Sequence, residues 1–169
     1  MRTGDAAAYA ELVRAHAGPA LRAARLFGAG ADAEDVVQES LVKAYRALGR
    51  FRQGAPFRPW LLRIVANETR NLVRSRGRRG ATEAAAARPE SVIDPAASAA
   101  DRARRAELLS AIAALPERHR QVVTCRYLLD LDERETATVL GWPRGTVKSR
   151  LSRALKTLRA ELAEDAHVC

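Results

Sequence analysis

The spacing of apolar and polar positions divides the chain into stretches with a helical period and stretches with none. Pro19, Gly28 and Gly30 punctuate the N-terminal stretch and predict two helices there, Asp5–Ala17 and Pro19–Phe27. A third helix opens at Asp32, a candidate N-cap with Glu34 and Asp35 in the first turn. At about 100° per residue, Val37, Leu41, Ala44, Tyr45 and Leu48 share one face of it. Asp35, Glu39, Val42 and Arg46 lie opposite, and Asp32 continues that stripe. The period fails from Gly49 to Pro59, where two prolines and two glycines mark a short structured loop. It resumes over Pro59–Arg76, with Leu61, Leu62, Val65, Thr69, Leu72 and Val73 on one side. Arg63, Asn67, Arg70, Asn71 and Arg74 occupy the other side, with Trp60 and Ile64 on its edge.

From Gly77 to about Ala100 the period is lost again in a segment holding two prolines and two glycines, which reads as a linker. Beyond it, Leu115–Val123 begins a helix expected to run to about Leu129. Ala137, Gly141 and Val147 then have the spacing of a helix-turn-helix: a small residue at the crossing, a glycine in the turn and an aliphatic anchor in the second helix. The turn reads Gly-Trp-Pro-Arg-Gly and ends at Gly145, leaving Thr146 able to cap. In the helix that follows, Val147, Leu151, Ala154, Leu155 and Leu158 share a face. The expected fold is all-α: two small helical domains, 1–76 and 105–169, joined by a flexible linker over 77–104.

Composition sharpens the class. Of 169 residues, 47% are hydrophobic and only 5% aromatic, enough apolar side chain for two packed cores. Two cysteines, Cys125 and Cys169, do not make a disulfide framework and suit a reducing cytoplasm. No apolar run approaches the ~18 residues of a membrane span, and no signal-peptide core is evident at the N-terminus, so a cytoplasmic protein without membrane insertion is expected.

Charge changes the picture more. The formal charge is +9, and it is laid out in blocks. Asp32 to Val42 holds four acids and no base, whereas Lys43 to Arg79 holds eleven bases and the single acid Glu68. A second acidic cluster, Asp130, Asp132, Glu133 and Glu135, precedes six bases and no acid over Arg144–Arg159. Two basic blocks, each behind an acidic one, point to an anionic partner met at two places.

The candidate chemistry follows from these faces. In the Pro59–Arg76 helix, cations neutralise phosphates, amides bond base edges, and Trp60 at the border can stack on an unpaired base. Phe51 and Phe57 fit a packed core at least as well as a base-stacking role, while Trp60 suits both. Ser149, Ser152, Arg153 and Lys156 form the polar side of the last helix with Lys148 and Arg150 flanking, the layout of a recognition helix in a major groove. On the acidic helix, Glu39 and the outward Val42 exceed what complementing a helix dipole requires and suit a protein-docking surface. His16, His119 and His167 are scattered, with His119 expected on an exposed turn. His167 and Cys169 make too small a donor set for a metal site, and Cys125 reads as a small core residue. No enzyme, cofactor or metal is expected.

Taken together, the blocks DAEDVVQES, FRQGAPFRPWLLRIVAN, a Pro/Ala-bearing linker, ALPERHRQVV and GTVKSRLSRAL resemble the bacterial extracytoplasmic-function sigma factors, the minimal two-domain sigma subunits of RNA polymerase, over roughly Ala8 to Leu162. The resemblance implies that Asp32, Asp35, Gln38, Glu39 and Val42 dock on the clamp helices of the largest subunit of core polymerase. It implies that Phe51, Arg52, Gln53, Gly54, Ala55, Pro56 and Phe57 capture a base flipped from the non-template strand of the −10 element. Arg63, Asn67, Arg70, Asn71 and Arg74 would hold the adjacent single strand, and Trp60 would help part the duplex. The linker would thread towards the polymerase cleft. Arg144, Thr146, Lys148, Ser149, Arg150, Ser152, Arg153 and Lys156 would read and grip the −35 duplex, and the apolar remainder of that domain would meet the flap of the second-largest subunit. An anti-sigma protein masking these faces is also expected.

Two positions depart from the family pattern. Thr136 stands where an aliphatic is common, so looser packing is expected there. Ser152 replaces a bulkier side chain, so promoter sequence does not carry over. On the residues alone, two other readings stay open. One is a helix-turn-helix regulator that binds duplex DNA without polymerase; the other is a single-strand binding protein.

Overall fold

The computed structural model describes residues 6–52, 54–78 and 98–165. The described residues are helical, with no strand among them. Helix α1 spans Ala6–Leu26, α2 Ala33–Ala47, α3 Phe57–Arg78, α4 Ala99–Ala114, α5 Glu117–Val123, α6 Glu133–Leu140 and α7 Arg144–Asp165. Gln53, most of the Gly77–Ala100 interval, His167 and Cys169 lie outside the described residues. Helix α3 continues to Arg78 and α4 begins at Ala99, so helix occupies both ends of the 77–104 interval.

The first three helices pack mutually. Alanines at 20, 23 and 24 let α1 approach closely, against Val36, Val37 and Ala44 of α2 and the fully buried Leu61, Leu62 and Val65 of α3. Burying each such leucine contributes about 1.5–3 kcal/mol. The two N-terminal helices expected from Pro19 are one continuous helix. Proline removes the N–H that would serve the Ala15 carbonyl, but Ala15, Gly18 and Pro19 are all solvent-facing, so water can take that place while Ala20, Ala23 and Ala24 hold the next turn to the core. Tyr45, expected inward, is 43% exposed. It lies at the rim, its ring 5.0 Å from that of Tyr9, whose hydroxyl donates to the Leu41 carbonyl and ties α1 to α2.

In the second half, α5 and α7 form the main packing pair, with α4 and α6 against α7. A π-helical turn, Thr124–Leu128, prolongs α5, and Arg126 donates to the Leu131 carbonyl to close the chain back on itself. The acidic cluster caps a helix. Asp132 accepts from the Glu135 N–H at 2.7 Å, while the Glu135 carboxylate accepts from the Asp132 N–H at 2.9 Å, a reciprocal capping box. Gly141 ends α6 at φ 68°, a left-handed position that glycine adopts at least cost.

Three expectations need correction here. Helix α7 starts at Arg144, and the Pro143 carbonyl accepts from both Thr146 and Val147 N–H groups. Thr146 is therefore inside the first turn and is not the cap. His119 is in α5, half-buried with Nδ1 unpartnered, not on an exposed turn. The helix after Leu115 does not run on regularly to Leu129 but changes to the π-turn at Thr124. Thr136 is fully buried, and its hydroxyl has no hydrogen-bond partner. A buried, unsatisfied hydroxyl costs roughly 1–3 kcal/mol. Thr136→Val is therefore expected to raise stability by about that amount and the thermal midpoint by several degrees, read by calorimetry; an unchanged or lower midpoint contradicts it.

Candidate nucleic-acid interface

Three charged surfaces emerge from this packing. On α2, Asp35, Gln38, Glu39 and Val42 are exposed together, Val42 at 39%. Asp32 departs from that group. Its carboxylate pairs with Arg76 at the far end of α3, while the same guanidinium donates to the Ala29 carbonyl. Asp32 is thus a strut between α2 and α3, half committed before any partner arrives. Glu39 reaches Lys43 at 3.4 Å, and Lys43 bonds Glu68 at 2.6 Å. The hydrogen bond that Lys43 donates to the Glu68 carboxylate is the main cause holding its ammonium above the ordinary pKa. The exposed Glu39–Lys43 pair is worth about 0–1 kcal/mol.

The second surface joins the loop to α3. Phe51, Phe57 and Trp60 form one aromatic cluster, with centroid separations of 5.8 Å for Phe51–Phe57, 4.8 Å for Phe51–Trp60 and 5.4 Å for Phe57–Trp60. Each such pair contributes about 0.5–1.5 kcal/mol beyond its buried area. All three rings are half-buried, neither core nor free, and Gly54 makes the turn between them at φ 79°. Ala55 is half-buried; Arg52 and Pro56 are exposed at the rim. His16 from α1 joins the cluster, 5.1 Å from Phe57. Burial, and secondarily the charge of Arg58, push its pKa down, so at neutral pH it is an uncharged aromatic. Sequence spacing gave no sign of His16, which arrives from a different helix. Along α3, Arg63, Asn67, Asn71 and Arg74 are exposed, and Arg70 donates to Asn67 Oδ1 at 2.9 Å.

On α7, Lys148, Ser149, Ser152, Arg153 and Lys156 are exposed, while Val147, Ala154 and Leu158 are buried beneath them. Arg144 pairs with Glu133 at 3.0 Å across the turn. Thr146 is half-buried. Arg150 lies over the Trp142 ring, its guanidinium carbon 4.2 Å from the centroid. Trp142 was not among the sequence candidates; a tryptophan eight residues before an arginine carries no helical signal because a turn intervenes. Cys125 is fully buried, with its thiol pKa pushed up to about 12 by burial, which makes it an inert core residue.

Among the described residues no cluster of three metal-ligating side chains occurs, and no helix is long and apolar enough to cross a membrane.

Two family models match: sigma-70 region 2 over residues 12–79, and sigma-70 region 4 over residues 105–158. The ECF RNA polymerase sigma factor SigL of Mycobacterium tuberculosis is 38% identical over 171 residues, covering 96% of this chain and 95% of that protein. The RNA polymerase sigma factor CnrH of Cupriavidus metallidurans is 33% identical over 174 residues, covering 97% and 91%. Among solved structures, CnrH in complex with the cytosolic domain of CnrY matches with a TM-score of 0.70 at 32% identity over 96% of this chain and 92% of that one. The sigma factor RpoE in complex with the anti-sigma factor NepR from Bartonella quintana matches with a TM-score of 0.65 at 26% identity, covering 86% and 91%.

Proposed function

The chain belongs to the sigma-70 family, as an extracytoplasmic-function sigma factor, and from that premise we propose how its surfaces divide the work of promoter recognition between protein and DNA. Residues 1–76 dock on core polymerase and open the −10 element, and residues 105–169 bind the −35 duplex. The observation that carries this reading is the coexistence of one exposed acidic face, on α2, with two exposed basic faces, on α3 and α7. A simple duplex-binding regulator has no use for the first, and a single-strand binder has none for the third.

On α2, Asp35, Gln38, Glu39 and Val42 meet the clamp helices of the largest subunit, and Asp32 holds the α2–α3 angle from behind. The aromatic cluster with its Gly54 turn receives a flipped base, Trp60 wedges the duplex edge, and Arg63, Asn67, Arg70, Asn71 and Arg74 carry the neighbouring strand. Unstacking a base costs a few kcal/mol, which ring stacking and phosphate contacts can offset. On α7, Lys148, Ser149, Ser152 and Arg153 face bases, while Lys156, Arg150 and Arg144 take phosphates. Leu108 and Tyr127, 42% and 59% exposed, are the apolar surface offered to the flap of the second-largest subunit. RNA synthesis itself belongs to core polymerase, in the cytoplasm. A masking protein of the anti-sigma class is the expected regulator, a reading supported by the partner-bound RpoE neighbour.

Footprinting tests the division. The full chain with core polymerase is expected to protect two separate promoter segments, with unpaired bases at the −10 one. Protection of a single duplex site, unchanged by core, favours the regulator instead.

The Trp142–Arg150 stack adds a prediction. A cation held on a ring gains about 0.5–1 kcal/mol at an exposed site, so the stack aims Arg150 before DNA arrives. Trp142→Leu is expected to weaken −35 duplex binding roughly 2–5-fold, with Trp142→Phe recovering most of it. Equal affinity in wild type and Trp142→Leu removes the stack from the interface.

A further inference from the structure

One acid stands among the cations of α3. Glu68 is the single acid between Lys43 and Arg79. It follows Asn67 directly and precedes Asn71 by one helical turn, which puts it beside two residues assigned to the −10 strand. Side chains one turn apart have Cβ atoms about 5–6 Å from each other. The Glu68 side chain is 18% exposed. A bare carboxylate there would repel a DNA phosphate from well inside the ~10 Å screening length of 0.1 M salt.

The carboxylate is not bare. Lys43 of α2 reaches across and donates to Glu68 Oε2 at 2.6 Å, while its other acidic neighbour, Glu39 Oε1, is 3.4 Å away. Glu39 is the more exposed of the two acids and belongs to the face proposed for polymerase. Docking can draw Glu39 away and leave the shorter bond in place. The raised pKa of the ammonium, due first to the bond with Glu68, keeps it charged throughout the neutral range. Ala44, next to Lys43, and Thr69, next to Glu68, are buried, which fixes the backbones on which the pair stands.

We propose that Lys43 is the built-in counter-ion of the strand surface: it stands on the docking helix but serves α3, cancelling the charge of Glu68 so that a single strand meets an uninterrupted cationic face. Lys43 is thus a positioning residue, acting through Glu68 and not by touching DNA. This rests on assigning the −10 strand to α3. Lys43 opens the basic block of the sequence, yet its charge is used inside the protein, and the pair adds no net charge to the face it borders.

The test is a charge cycle read by strand binding. Lys43→Gln uncovers the carboxylate, and the full chain is expected to bind a mixed-sequence single-stranded oligonucleotide about 3–10-fold more weakly than wild type at 0.1 M salt. The deficit should shrink as added salt screens it. Lys43→Arg, which keeps the charge, is expected to stay near wild type. Adding Glu68→Gln to Lys43→Gln removes the charge that needed cancelling and is expected to restore wild-type affinity. If that double variant stays as weak as Lys43→Gln, the lysine touches phosphate itself and the counter-ion role is overturned. Unchanged binding by Lys43→Gln also overturns it, as does a deficit that high salt does not relieve, which marks loosened packing. Arg22→Gln, the loss of one exposed charge on α1, controls for net charge; a deficit equal to that of Lys43→Gln overturns the role. Arg70→Ala with Arg74→Ala checks the premise: if this pair leaves binding unchanged, the strand does not run on α3 and both ideas fall. If it weakens binding while Lys43→Gln does not, the strand assignment stands and only the counter-ion falls. Should Lys43→Gln not fold, Glu68→Gln and the double variant decide. The first is expected to bind tighter than wild type, since Lys43 is released, and the second to match wild type; equal affinity of Glu68→Gln and wild type overturns the role.

Discussion

Reversing the charge of both Asp35 and Glu39 to arginine is expected to abolish stable association with core polymerase, weakening it at least 100-fold. Both side chains are exposed on the face of α2 that also presents Gln38 and Val42. Neither is needed by the fold: Glu39 makes one exposed contact with Lys43, worth under about 1 kcal/mol, and Lys43 keeps its shorter bond to Glu68. Placing like charges against an interface costs several kcal/mol, and each 1.4 kcal/mol is tenfold. The thermal midpoint and binding to −35 duplex should be unchanged, because α7 is untouched. Co-elution with core on size exclusion is the readout; retention of the variant in the polymerase peak contradicts the docking assignment.

The second large effect concerns α7. Lys148 and Arg153 are exposed, with the buried Val147 and Ala154 beside them fixing the backbone on which they stand. A good side-chain contact to a base contributes about 1–3 kcal/mol of discrimination. Alanine at both positions is therefore expected to weaken specific −35 binding by roughly 30-fold or more and to level the preference between matched and mismatched duplexes. Core association should persist, since the acidic face lies in the other domain. If affinity falls but the ratio of matched to mismatched binding does not, both residues contact phosphates and belong outside the reading set.

The helices and exposed faces on which these proposals rest were largely readable from the sequence because they follow local periodicity. Ala137, Gly141 and Val147 marked the helix-turn-helix, since a left-handed turn selects glycine and the second helix must bury an aliphatic; Gly141 has φ 68° and Val147 is fully buried. On α3, Leu61, Leu62, Val65 and Thr69 are buried as their spacing required, whereas Val73, expected on the same side, is 42% exposed. What local spacing could not supply is contact between elements distant in the chain. Pro19 predicts a break because its local preference takes no account of the burial of Ala20, Ala23 and Ala24 on α2 and α3. The ion pair of Asp32 has no local signal because Arg76, its partner, is 44 positions away. His16, Trp142 and Arg58 carry no local signal for the same reason: each takes its place from a tertiary approach. Thr146 was displaced by a shorter-range effect, as Pro143 starts α7 two residues earlier than the last turn glycine suggested.

The central claim, that this chain directs polymerase to promoters, is tested most directly by transcription itself. The purified chain is added to bacterial core polymerase on genomic DNA, and transcript 5′ ends are mapped. The expected result is a set of discrete start sites, each preceded by two shared sequence blocks near −10 and −35, and lost with the Asp35→Arg, Glu39→Arg variant. Scattered initiation indistinguishable from that of core polymerase alone would contradict the account.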